Sequence, residues 1–504
     1  MKYVLGIDLG TSGLKAVIFD EDGREIASAS EEYPLYQPEN GWAEQEPEDW
    51  KRAGFRAIRA VLQKSSLASE QIAGIGLTGQ MHGLVMLDKN CRVLRRSIIW
   101  CDQRTGAQCR EITEKLGNRL IEITANPALT GFTLSKLLWV KEHEPEIYRA
   151  CRHILLPKDY FRYCLTGAFA TDVSDASGMQ MLDIPGRCWS EELLSAFSID
   201  PSLLARVLES PEVSGSVTAE AAKETGLKEG TPVAAGAGDN AAAAVGTGVV
   251  KDGCAFATIG TSGVVFAHTD AMRLDPQGRV HTFCSAVPGA WHVMGVTQAA
   301  GLSLRWLRDT CCTEEQQRAQ MLHKDVYALM DEEAEKSPVG ANRLVYLPYL
   351  MGERTPHLDP DCRGVFFGLS AMHERKDLIR AVMEGVSCSL TDCVEVFREM
   401  GVPLSEVIVT GGGGRSALWR SMLSGCFALP VRTSAQPESA AFGAAILAAV
   451  AAGLYPDVRT ACEKMVKVQP LLQPEQEALY AAVYKRYHAL YPALKEQFHL
   501  LAQG

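Results

Sequence analysis

The pattern of hydrophobic and polar positions at the start of the chain consists of two apolar runs separated by a short glycine-rich turn. Residues 3–7 and 14–19 are mainly apolar, and residues 10–13 (GTSG) lie between them. This pattern predicts two β-strands joined as a tight hairpin. Small turn residues let backbone amides approach phosphate oxygens, and Asp8, at the end of the first strand, is placed to hold a metal ion beside them. The alternative is an ordinary hairpin with a capping aspartate.

The same layout returns in the second half of the chain. Residues 254–267 again contain an apolar run, the sequence GTSG and a second apolar run. Gly10 and Gly260 lie 250 positions apart, about half of the chain, which favours two similar domains over a solenoid. Thr258 occupies the position that corresponds to Asp8. We therefore expect one loop to bind metal and phosphate and the other to bind phosphate only, with ATP in a cleft between them.

Strands alternate with helices in both halves, which is typical of layered α/β domains. In the first half the pattern predicts strands at 24–32, 72–77, 84–87 and 231–236, and helices at 47–63, 105–116, 134–143 and 157–165. In the second half it predicts strands at 291–296, 344–349 and 407–410, and helices at 299–309, 377–398, 418–427 and 439–453. The predicted fold is therefore α/β, with a first domain at 1–247 and a second at 248–504.

Composition narrows the class of protein. The chain has 504 residues, 47% hydrophobic and 22% charged, which is typical of a globular protein with ample core. Its net charge of −11 argues against nucleic-acid or anionic-membrane partners. The 15 cysteines are scattered, which fits reduced thiols in the cytoplasm better than disulfides or zinc. The start of the chain runs directly into a strand, so no signal peptide is expected, and the uncharged stretch 439–456 is too short to span a membrane.

A carboxylate joins a strand to an alanine-rich helix at Gly238-Asp239-Asn240. A helix N-terminus stabilises negative charge, so Asp239 is a candidate general base aimed into a cleft. The alternative is a plain N-cap, the commoner role of an aspartate before a helix. The second glycine-rich hairpin follows within about 20 residues, and this proximity favours the catalytic interpretation.

Other polar or glycine-rich segments follow predicted strands. Four glycines at 411–414 allow a flat ring to lie against bare backbone; alternatively, they form a flexible turn. Residues 80–82 (QMH) and 100–102 (WCD) offer an imidazole, a carboxylate and an aromatic face to a polyhydroxylated substrate, or are simply packed. Residues 352–357 (GERTPH) form a polar loop that we expect at the mouth of the cleft.

Two long motifs resemble the signatures of the FGGY carbohydrate kinase family. Residues 131–143 (GFTLSKLLWVKEH) match the first signature, and residues 364–384, which begin GVFFGL and end AVME, match the second. The shorter stretches at 79–83, 155–160 and 238–242 resemble the branch of this family that acts on D-xylulose. The resemblance covers nearly the whole chain. It implies two actin-like, ribonuclease-H-like domains around a deep cleft and MgATP-dependent phosphorylation of D-xylulose, with a homodimer as a further expectation.

The resemblance also assigns roles to individual positions. It implies that Asp239 is the catalytic base and that Asp8 is the catalytic, metal-binding carboxylate. The implied sugar-binding residues are Met81, His82, Trp100, Asp102 and Asn240. The implied nucleotide-binding residues are Thr11, Ser12, Lys15, Gly260, Thr261, Gly301, Arg305, Gly412 and Ser416. Arg305 and Ser416 depart from the relatives that act on glycerol, which carry Gln and Asn there.

Three rival functions make different demands on the chain. A kinase of the same fold for ribulose, fuculose or gluconate would differ only in the residues of the sugar pocket. An actin- or chaperone-like ATPase would hydrolyse ATP regardless of sugars, which the polar cluster at Met81, His82 and Asp239 disfavours. A Rossmann dehydrogenase fits poorly because no Gly-x-Gly-x-x-Gly follows the first strand into a helix.

Overall fold

The computed structural model describes residues 2–434 and 439–503. The strands of the first half are β1 (Tyr3–Leu9), β2 (Gly13–Asp20), β3 (Glu25–Glu32), β4 (Glu44–Gln45), β5 (Ile72–Gly79), β6 (Val85–Leu87), β7 (Ser97–Ile98), β8 (His153–Leu155), β9 (Ala170–Asp172), β10 (Leu182–Asp183), β11 (Cys188–Trp189), β12 (Arg206–Leu208), β13 (Val213–Ser216), β14 (Pro232–Ala234) and β15 (Ala237–Gly238). Its helices are α1 (Pro47–Ser65), α2 (Gly106–Leu116), α3 (Asn118–Thr124), α4 (Thr133–His143), α5 (Pro145–Ala150), α6 (Pro157–Thr166), α7 (Val173–Ala176), α8 (Glu191–Ala196), α9 (Ala219–Thr225) and α10 (Asp239–Thr247).

The second half is richer in helices. Its strands are β16 (Gly253–Ile259), β17 (Gly263–Thr269), β18 (His281–Cys284), β19 (Trp291–Thr297), β20 (Val345–Leu347), β21 (Val365–Phe367), β22 (Leu404–Thr410) and β23 (Val431–Thr433). Its helices are α11 (Gly301–Cys311), α12 (Thr313–Leu322), α13 (Val326–Ala334), α14 (Arg375–Glu399), α15 (Ala417–Phe427), α16 (Ser439–Ala451), α17 (Val458–Met465), α18 (Glu477–His488) and α19 (Leu490–Ala502).

Each half is organised around one mixed sheet. In the first, the strand order is β13-β14-β5-β1-β2-β3, with β15 also beside β5; in the second it is β18-β19-β17-β16-β22-β23. In each sheet the strand before the GTSG turn lies between its antiparallel hairpin partner and a parallel strand. The register repeats as well, since Asp8 lies opposite Thr78 and Thr258 lies opposite Thr410. The predicted α/β fold with two actin-like domains is confirmed.

The helix α14 organises the core of the second half. It is almost entirely buried and packs against β19 and β20 on one side and α11, α13 and α15 on others. In the first half, α1 presents a buried stripe, including Trp50, Ile58 and Val61, to β2 and β3. The spacing of these apolar positions is the helical period that predicted α1 from the sequence.

Two small-residue helices cross where the halves meet. A Cβ on Gly246 of α10 would lie 1.9 Å from the backbone oxygen of Ser439, and one on Gly443 of α16 would lie 1.8 Å from that of Ala242. The glycines therefore permit a close approach of the two backbones. Helix α16 also packs on β1 and β5 of the first sheet. The domain division at 247 remains a prediction, and α16 contacts the sheet of the other half.

Most of the predicted strands and helices appear close to their expected positions. The expected strand at 72–77 is β5, and the expected helix at 377–398 is α14. Sequence reasoning missed β18, α12, α13 and the short strands around α4 and α6. Within the two described ranges, no helix combines the length and apolar character needed to cross a lipid bilayer.

Candidate active site

The loop at residues 10–12 is predicted to bind phosphate and is called the first phosphate loop here. It is held in place by hydrogen bonds to the carbonyl oxygens of residues 9–11. The Gln45 side-chain amide donates to Thr11 O at 2.7 Å, the Gln80 backbone amide donates to Leu9 O at 2.8 Å, and the Tyr33 hydroxyl donates to Gly10 O. Gln45 and Gln80 are buried and hydrogen-bonded to each other at 2.7 Å. The loop is therefore fixed before any ligand arrives, which lowers the cost of binding.

The backbone N–H groups of the first phosphate loop differ from its carbonyl groups, which are hydrogen-bonded within the protein. Among the described residues, the backbone amides of Thr11 and Ser12 have no protein acceptor, and both residues are partly or fully exposed. Consecutive amides of this kind form an anion-binding nest. Asp8 lies at the end of β1 directly opposite Lys15 of β2. One carboxylate and one ammonium group thus flank the loop, and their roles toward metal and phosphate remain predictions.

Asp239 is the first residue of α10 and is partly buried. Its Oδ1 accepts hydrogen bonds from the backbone amide of Asn240 at 2.7 Å and from its side-chain amide at 2.9 Å. Burial raises the pKa of Asp239 from 3.8 to about 6, and the two Asn240 donors partly oppose that shift. A carboxylate with a raised pKa is a stronger base than a free one, yet it is still ionised near neutral pH. Asn240 is therefore placed to orient Asp239.

The two predicted catalytic carboxylates lie at the same edge of the first sheet. Strands β1 and β15 both run parallel to β5, with Asp8 and Ala237 on opposite sides of Thr78. Neighbouring strands are about 4.8 Å apart, so the backbones at Asp8 and Ala237 are roughly 10 Å apart. Asp239 follows Ala237 by two residues. The strand topology thus places the candidate base and the first phosphate loop on one rim, close enough to share a ligand.

A buried polar network supports the backbone beside Asp239. The Gly238 amide donates to Ser174 Oγ at 3.1 Å, and that hydroxyl donates to Asp172 Oδ1 at 2.5 Å. The Lys158 ammonium lies 2.9 Å from Asp172 and 2.6 Å from Asp159, and all of these side chains are fully buried. Because a buried network of this kind has few alternative arrangements, it fixes the position of β15, the strand that immediately precedes Asp239. Sequence reasoning singled out the 155–160 stretch but not this role.

His82 is oriented by Gly178. The His82 Nδ1–H donates to Gly178 O at 2.8 Å, and a Cβ on Gly178 would approach that nitrogen to 2.3 Å. Burial lowers the pKa of His82 to about 3, with smaller contributions from Lys136 and Arg354. The imidazole is therefore neutral, and with Nδ1 protonated its Nε2 is a hydrogen-bond acceptor. A neutral acceptor of this type suits the hydroxyl of a sugar.

The other predicted sugar ligands differ in how they are placed. The Trp100 indole is 46% exposed and donates to Thr11 Oγ1 at 2.9 Å, so it borders the first phosphate loop. Met81 is buried, and its sulfur lies 2.8 Å from the position that a Cβ of Gly238 would occupy, so it supports the Asp239 backbone.

The prediction for Asp102 is not supported by its position. This carboxylate is fully buried, and it accepts hydrogen bonds from the Arg104 guanidinium at 2.7 to 3.1 Å and from the Ala43 amide at 2.6 Å. A carboxylate whose two oxygens are engaged in this way is not available to sugar hydroxyls. The ion pair with Arg104 gives Asp102 a structural role instead.

The second half contains a cavity of about 580 Å³ beside residues 260–262, the loop predicted to bind phosphate in this half and called the second phosphate loop here. It brings together the predicted nucleotide-binding residues of this half, namely Gly260, Thr261, Gly301, Arg305, Gly412 and Ser416. The amides of Gly301 and Leu302, at the start of α11, donate to the carbonyl oxygens of Gly260 and Thr261 at 2.8 and 3.1 Å. The second loop is thus anchored through its carbonyl groups, as the first one is.

Helix α13 supplies a wall of this cavity that sequence reasoning missed. Tyr327 and Asp331 line the cavity together with Asp325 at the helix N-cap. Burial raises the pKa of Asp331, while a hydrogen bond with Ser416 opposes the shift. The Ser416 hydroxyl also caps α15 by accepting from the Trp419 amide at 3.0 Å. A signal was present, since Asp325 precedes the mainly apolar residues 326–330, but no helix was predicted there.

The described residues contain two groups of three possible metal ligands away from the loops. Asp159, Asp172 and Asp175 lie 2.6, 2.9 and 3.5 Å from the Lys158 ammonium, which offsets part of their negative charge. The other group, Asp359, Asp361 and His499, lies near the C-terminal helix α19. Neither group includes Asp8, whose single carboxylate fits Mg²⁺, an ion that takes few protein ligands and keeps waters and phosphate oxygens.

Comparison with known proteins agrees with this geometry. The model of the FGGY family of carbohydrate kinases, N-terminal domain, matches residues 3–246, and that of the C-terminal domain matches residues 255–452. The xylulose kinase of Bacillus subtilis strain 168 is 39% identical over 498 residues, which are 98% of each chain. The crystal structure of xylulose kinase from Rhodospirillum rubrum has 29% identity and a TM-score of 0.92, covering 99% of this chain and 100% of that one.

A relative with another named substrate has nearly the same shape. The crystal structure of gluconate kinase from Lactobacillus acidophilus is 27% identical, with a TM-score of 0.91 and 99% coverage of both chains. Because both family domains match in order over most of its length, the chain belongs to the FGGY family of carbohydrate kinases. It is a sugar kinase, an enzyme that transfers a phosphoryl group from ATP to a small sugar.

Proposed function

We propose that this kinase phosphorylates D-xylulose on its terminal hydroxyl to form D-xylulose 5-phosphate, with MgATP as the phosphoryl donor. The observation that carries the proposal is Asp239, a half-buried carboxylate with a raised pKa at a helix N-terminus, on the same sheet edge as the first phosphate loop. The named sugar rests on sequence relatives, because identity to a xylulose kinase reaches 39% over nearly the whole chain.

In the proposed reaction, Asp239 accepts the proton of the terminal hydroxyl while the hydroxyl oxygen attacks the γ-phosphorus. Asn240 holds the carboxylate, and the neutral Nε2 of His82 accepts a hydrogen bond from another hydroxyl of the sugar. The exposed amides of the two phosphate loops bind the oxygens of the transferring group. Phosphoryl transfer is catalysed mainly by such positioning and electrostatic stabilisation. Mg²⁺, when bound, neutralises phosphate charge, and Asp8 is its proposed protein ligand.

The adenine and ribose of ATP are proposed to occupy the 580 Å³ cavity of the second half. Gly412 offers backbone without a side chain on one side of the cavity, and Ser416 and Asp331 offer hydroxyl and carboxylate groups on another. Thr11, Ser12 and Lys15 would contact phosphates from the first half, and Gly260 and Thr261 from the second. Gly301 and Arg305 would complete the wall beside the second phosphate loop.

The proposal is tested by ADP release from the purified enzyme with D-xylulose, D-ribulose, L-fuculose, D-gluconate or glycerol as acceptor. We expect the highest kcat/KM with D-xylulose, and we expect ADP release to require added Mg²⁺. Asp239→Asn keeps the shape of the side chain and should lose turnover by about 10² or more while still binding ATP. A higher kcat/KM for another sugar would show that D-xylulose is not the preferred substrate, while the assignment as a sugar kinase would stand.

The main rival is a kinase of the same fold for another sugar. The gluconate kinase structure matches as well as the xylulose kinase structure does, with TM-scores of 0.91 and 0.92, so the fold does not select the sugar. A carboxylate substrate would require a cation in the sugar pocket, and D-gluconate is in the panel for this reason. An actin- or chaperone-like ATPase would instead release ADP at the same rate with and without sugar.

Two further features are part of the proposal. We infer that the enzyme acts in the cytoplasm, where ATP, Mg²⁺ and reducing conditions are available, and immunoblotting of cell fractions tests this. We also infer a homodimer, which light scattering of the full chain tests. The domain boundary near residue 247 is tested by limited proteolysis, which should cut between α10 and β16 if the halves are separate folding units.

A further inference from the structure

Arg354 is a cation without a carboxylate partner in the described part of the chain. Its guanidinium hydrogen-bonds with a histidine, and no acidic side chain lies within ion-pair distance. Other buried arginines differ, since Arg104, Arg162 and Arg380 each pair with an aspartate or glutamate. A partly buried cation is costly unless something compensates it. Arg354 belongs to the polar loop 352–357, which the proposed reaction leaves without a role.

A short relay orients the Arg354 guanidinium. Its Nη2 donates to His281 Nε2 at 2.6 Å, and His281 Nδ1–H donates to Asn126 Oδ1 at 2.5 Å. The Asn126 amide in turn donates to the carbonyl oxygens of Thr124 and Thr282. Burial holds the pKa of His281 well below its ordinary value, so the ring is neutral and can accept from the guanidinium. The directions of these hydrogen bonds are mutually consistent.

The backbone on both sides of Arg354 is anchored to the second domain. Glu353 accepts from the amides of Gln298 and Arg354 at 2.9 and 2.8 Å, and from the Ser389 hydroxyl at 3.3 Å. Thr355 exchanges hydrogen bonds with Val296 at 2.9 and 3.1 Å. Arg354 is thus held on a rigid segment at the end of β19, which is the arrangement expected of a binding group rather than of a mobile surface arginine.

Arg354 lies beside the sugar-site histidine. It contributes to the electrostatic environment of His82, and a cluster of rings joins the two residues. The Phe132 ring lies 4.9 Å from His82 and 5.8 Å from His281, and Phe283 lies 5.5 Å from His281 and 6.3 Å from His82, as ring-centroid distances. His82 and Phe132 come from the first half, and His281, Phe283 and Arg354 from the second. The second half therefore contributes two rings and the Arg354 charge to the surroundings of His82.

We propose that Arg354 is a sugar-binding residue contributed by the second domain, and that it donates a hydrogen bond to the carbonyl oxygen of the ketose. The guanidinium is only a donor, whereas Asp239 and His82 Nε2 are acceptors. The hydroxyl groups of the sugar can donate hydrogen bonds to these two acceptors. The carbonyl oxygen is the only oxygen of an open-chain ketose that can accept but not donate, so it matches a group that only donates. Asn126 and His281 are positioning residues for Arg354. The choice of a ketose rests on the proposed function; the binding role of Arg354 does not.

The test compares Arg354→Met with Arg363→Met in the full-length enzyme. Methionine retains an unbranched apolar stem and removes the charge and donors. Arg363 is an exposed arginine of the same segment that donates only to nearby carbonyl oxygens, so it is the matched control. We expect Arg354→Met to raise the KM for D-xylulose on the order of 10- to 100-fold, as for loss of a charge-assisted hydrogen bond, with little change in the KM for ATP.

Two further measurements separate recognition from folding. The wild-type enzyme should have a higher kcat/KM for D-xylulose than for xylitol, which lacks the carbonyl group. The ratio of these two kcat/KM values should decrease in Arg354→Met and be partly restored in Arg354→Lys. His281→Phe keeps the ring and removes the acceptor of Arg354, so it should give a smaller loss in the same direction; it also serves if Arg354→Met fails to fold. An unchanged KM for the sugar, or equal losses for sugar and ATP, would overturn the role of Arg354. If wild type prefers another sugar, the same comparison is made with that sugar.

Discussion

The raised pKa of Asp239 gives the kinase a pH dependence of predictable direction. Burial moves this pKa from 3.8 to about 6. A general base acts only in its ionised form, so kcat/KM for the sugar should rise as the pH increases through about 6 and level off above it. The perturbation is therefore the pH itself, with Asp239→Asn as the variant that removes the titrating group.

The size of the effect distinguishes Asp239 from an ordinary carboxylate. With a pKa of about 6, roughly 9% of the molecules carry an ionised Asp239 at pH 5 and about 99% at pH 8. The value of kcat/KM should therefore be about tenfold lower at pH 5 than at pH 8. With the ordinary pKa of 3.8, the loss at pH 5 would be less than about 10%. Asn240→Ala removes one of the donors that stabilise the ionised form, so it should move the acid limb to higher pH.

The assay is coupled ADP release at sugar concentrations well below KM, from pH 4.5 to 8.5, because kcat/KM reports the ionisation of the free enzyme. Circular dichroism at each pH shows that the protein remains folded, and the coupling enzymes are kept in excess. A flat profile down to pH 5 would refute the assignment of Asp239 as the base. Residual Asp239→Asn activity with the same acid limb would also refute it, since another group would then be titrating.

Three substitutions probe the remaining parts of the site. Gly178→Ala would place a Cβ 2.3 Å from His82 Nδ1, so the KM for the sugar should rise about tenfold or more, whereas Gly106→Ala should change nothing; an unchanged KM argues against His82. A Cβ at Gly412 meets no protein atom within 4 Å, so Gly412→Ala should leave Tm unchanged and raise the KM for ATP; equal ATP kinetics would exclude contact there. Asp8→Asn should raise the Mg²⁺ concentration for half-maximal rate, and unaltered Mg²⁺ dependence would remove Asp8 as its ligand.

The two glycine-rich hairpins and the two-domain fold could be predicted because their signals are local. A hairpin is specified by the apolar runs and the turn between them, and the second copy appeared with the same order of elements. The helix that begins at Asp239 was equally local, because a glycine and an aspartate precede a run of alanines. Gly260, Thr261, Gly412 and Ser416 line one cavity, although about 150 residues separate the first pair from the second.

What the sequence did not indicate concerns partners that are distant in sequence or side chains that turn inward. Asp102 follows a half-exposed tryptophan, and nothing in the local pattern showed that Arg104 and the Ala43 amide would enclose its carboxylate. Asp331 is one of several acids in a stretch with weak periodicity, and it becomes a cavity residue only because α13 packs on α14 and reaches Ser416. Tertiary packing decides such positions, and a single sequence does not record it.

The two halves share a topology but differ at one paired position, and this difference gives a reason for the proposed division of roles between them. In the first sheet Asp8 lies opposite Thr78, whereas in the second Thr258 lies opposite Thr410 with the two hydroxyls 2.6 Å apart. A pair of hydroxyls that satisfy each other offers no anionic ligand to a metal, so we expect the carboxylate ligand of the metal to come from the first half. The cavity proposed for the nucleotide accordingly lies beside the second sheet, and Arg354 is the group through which the second half would also read the sugar.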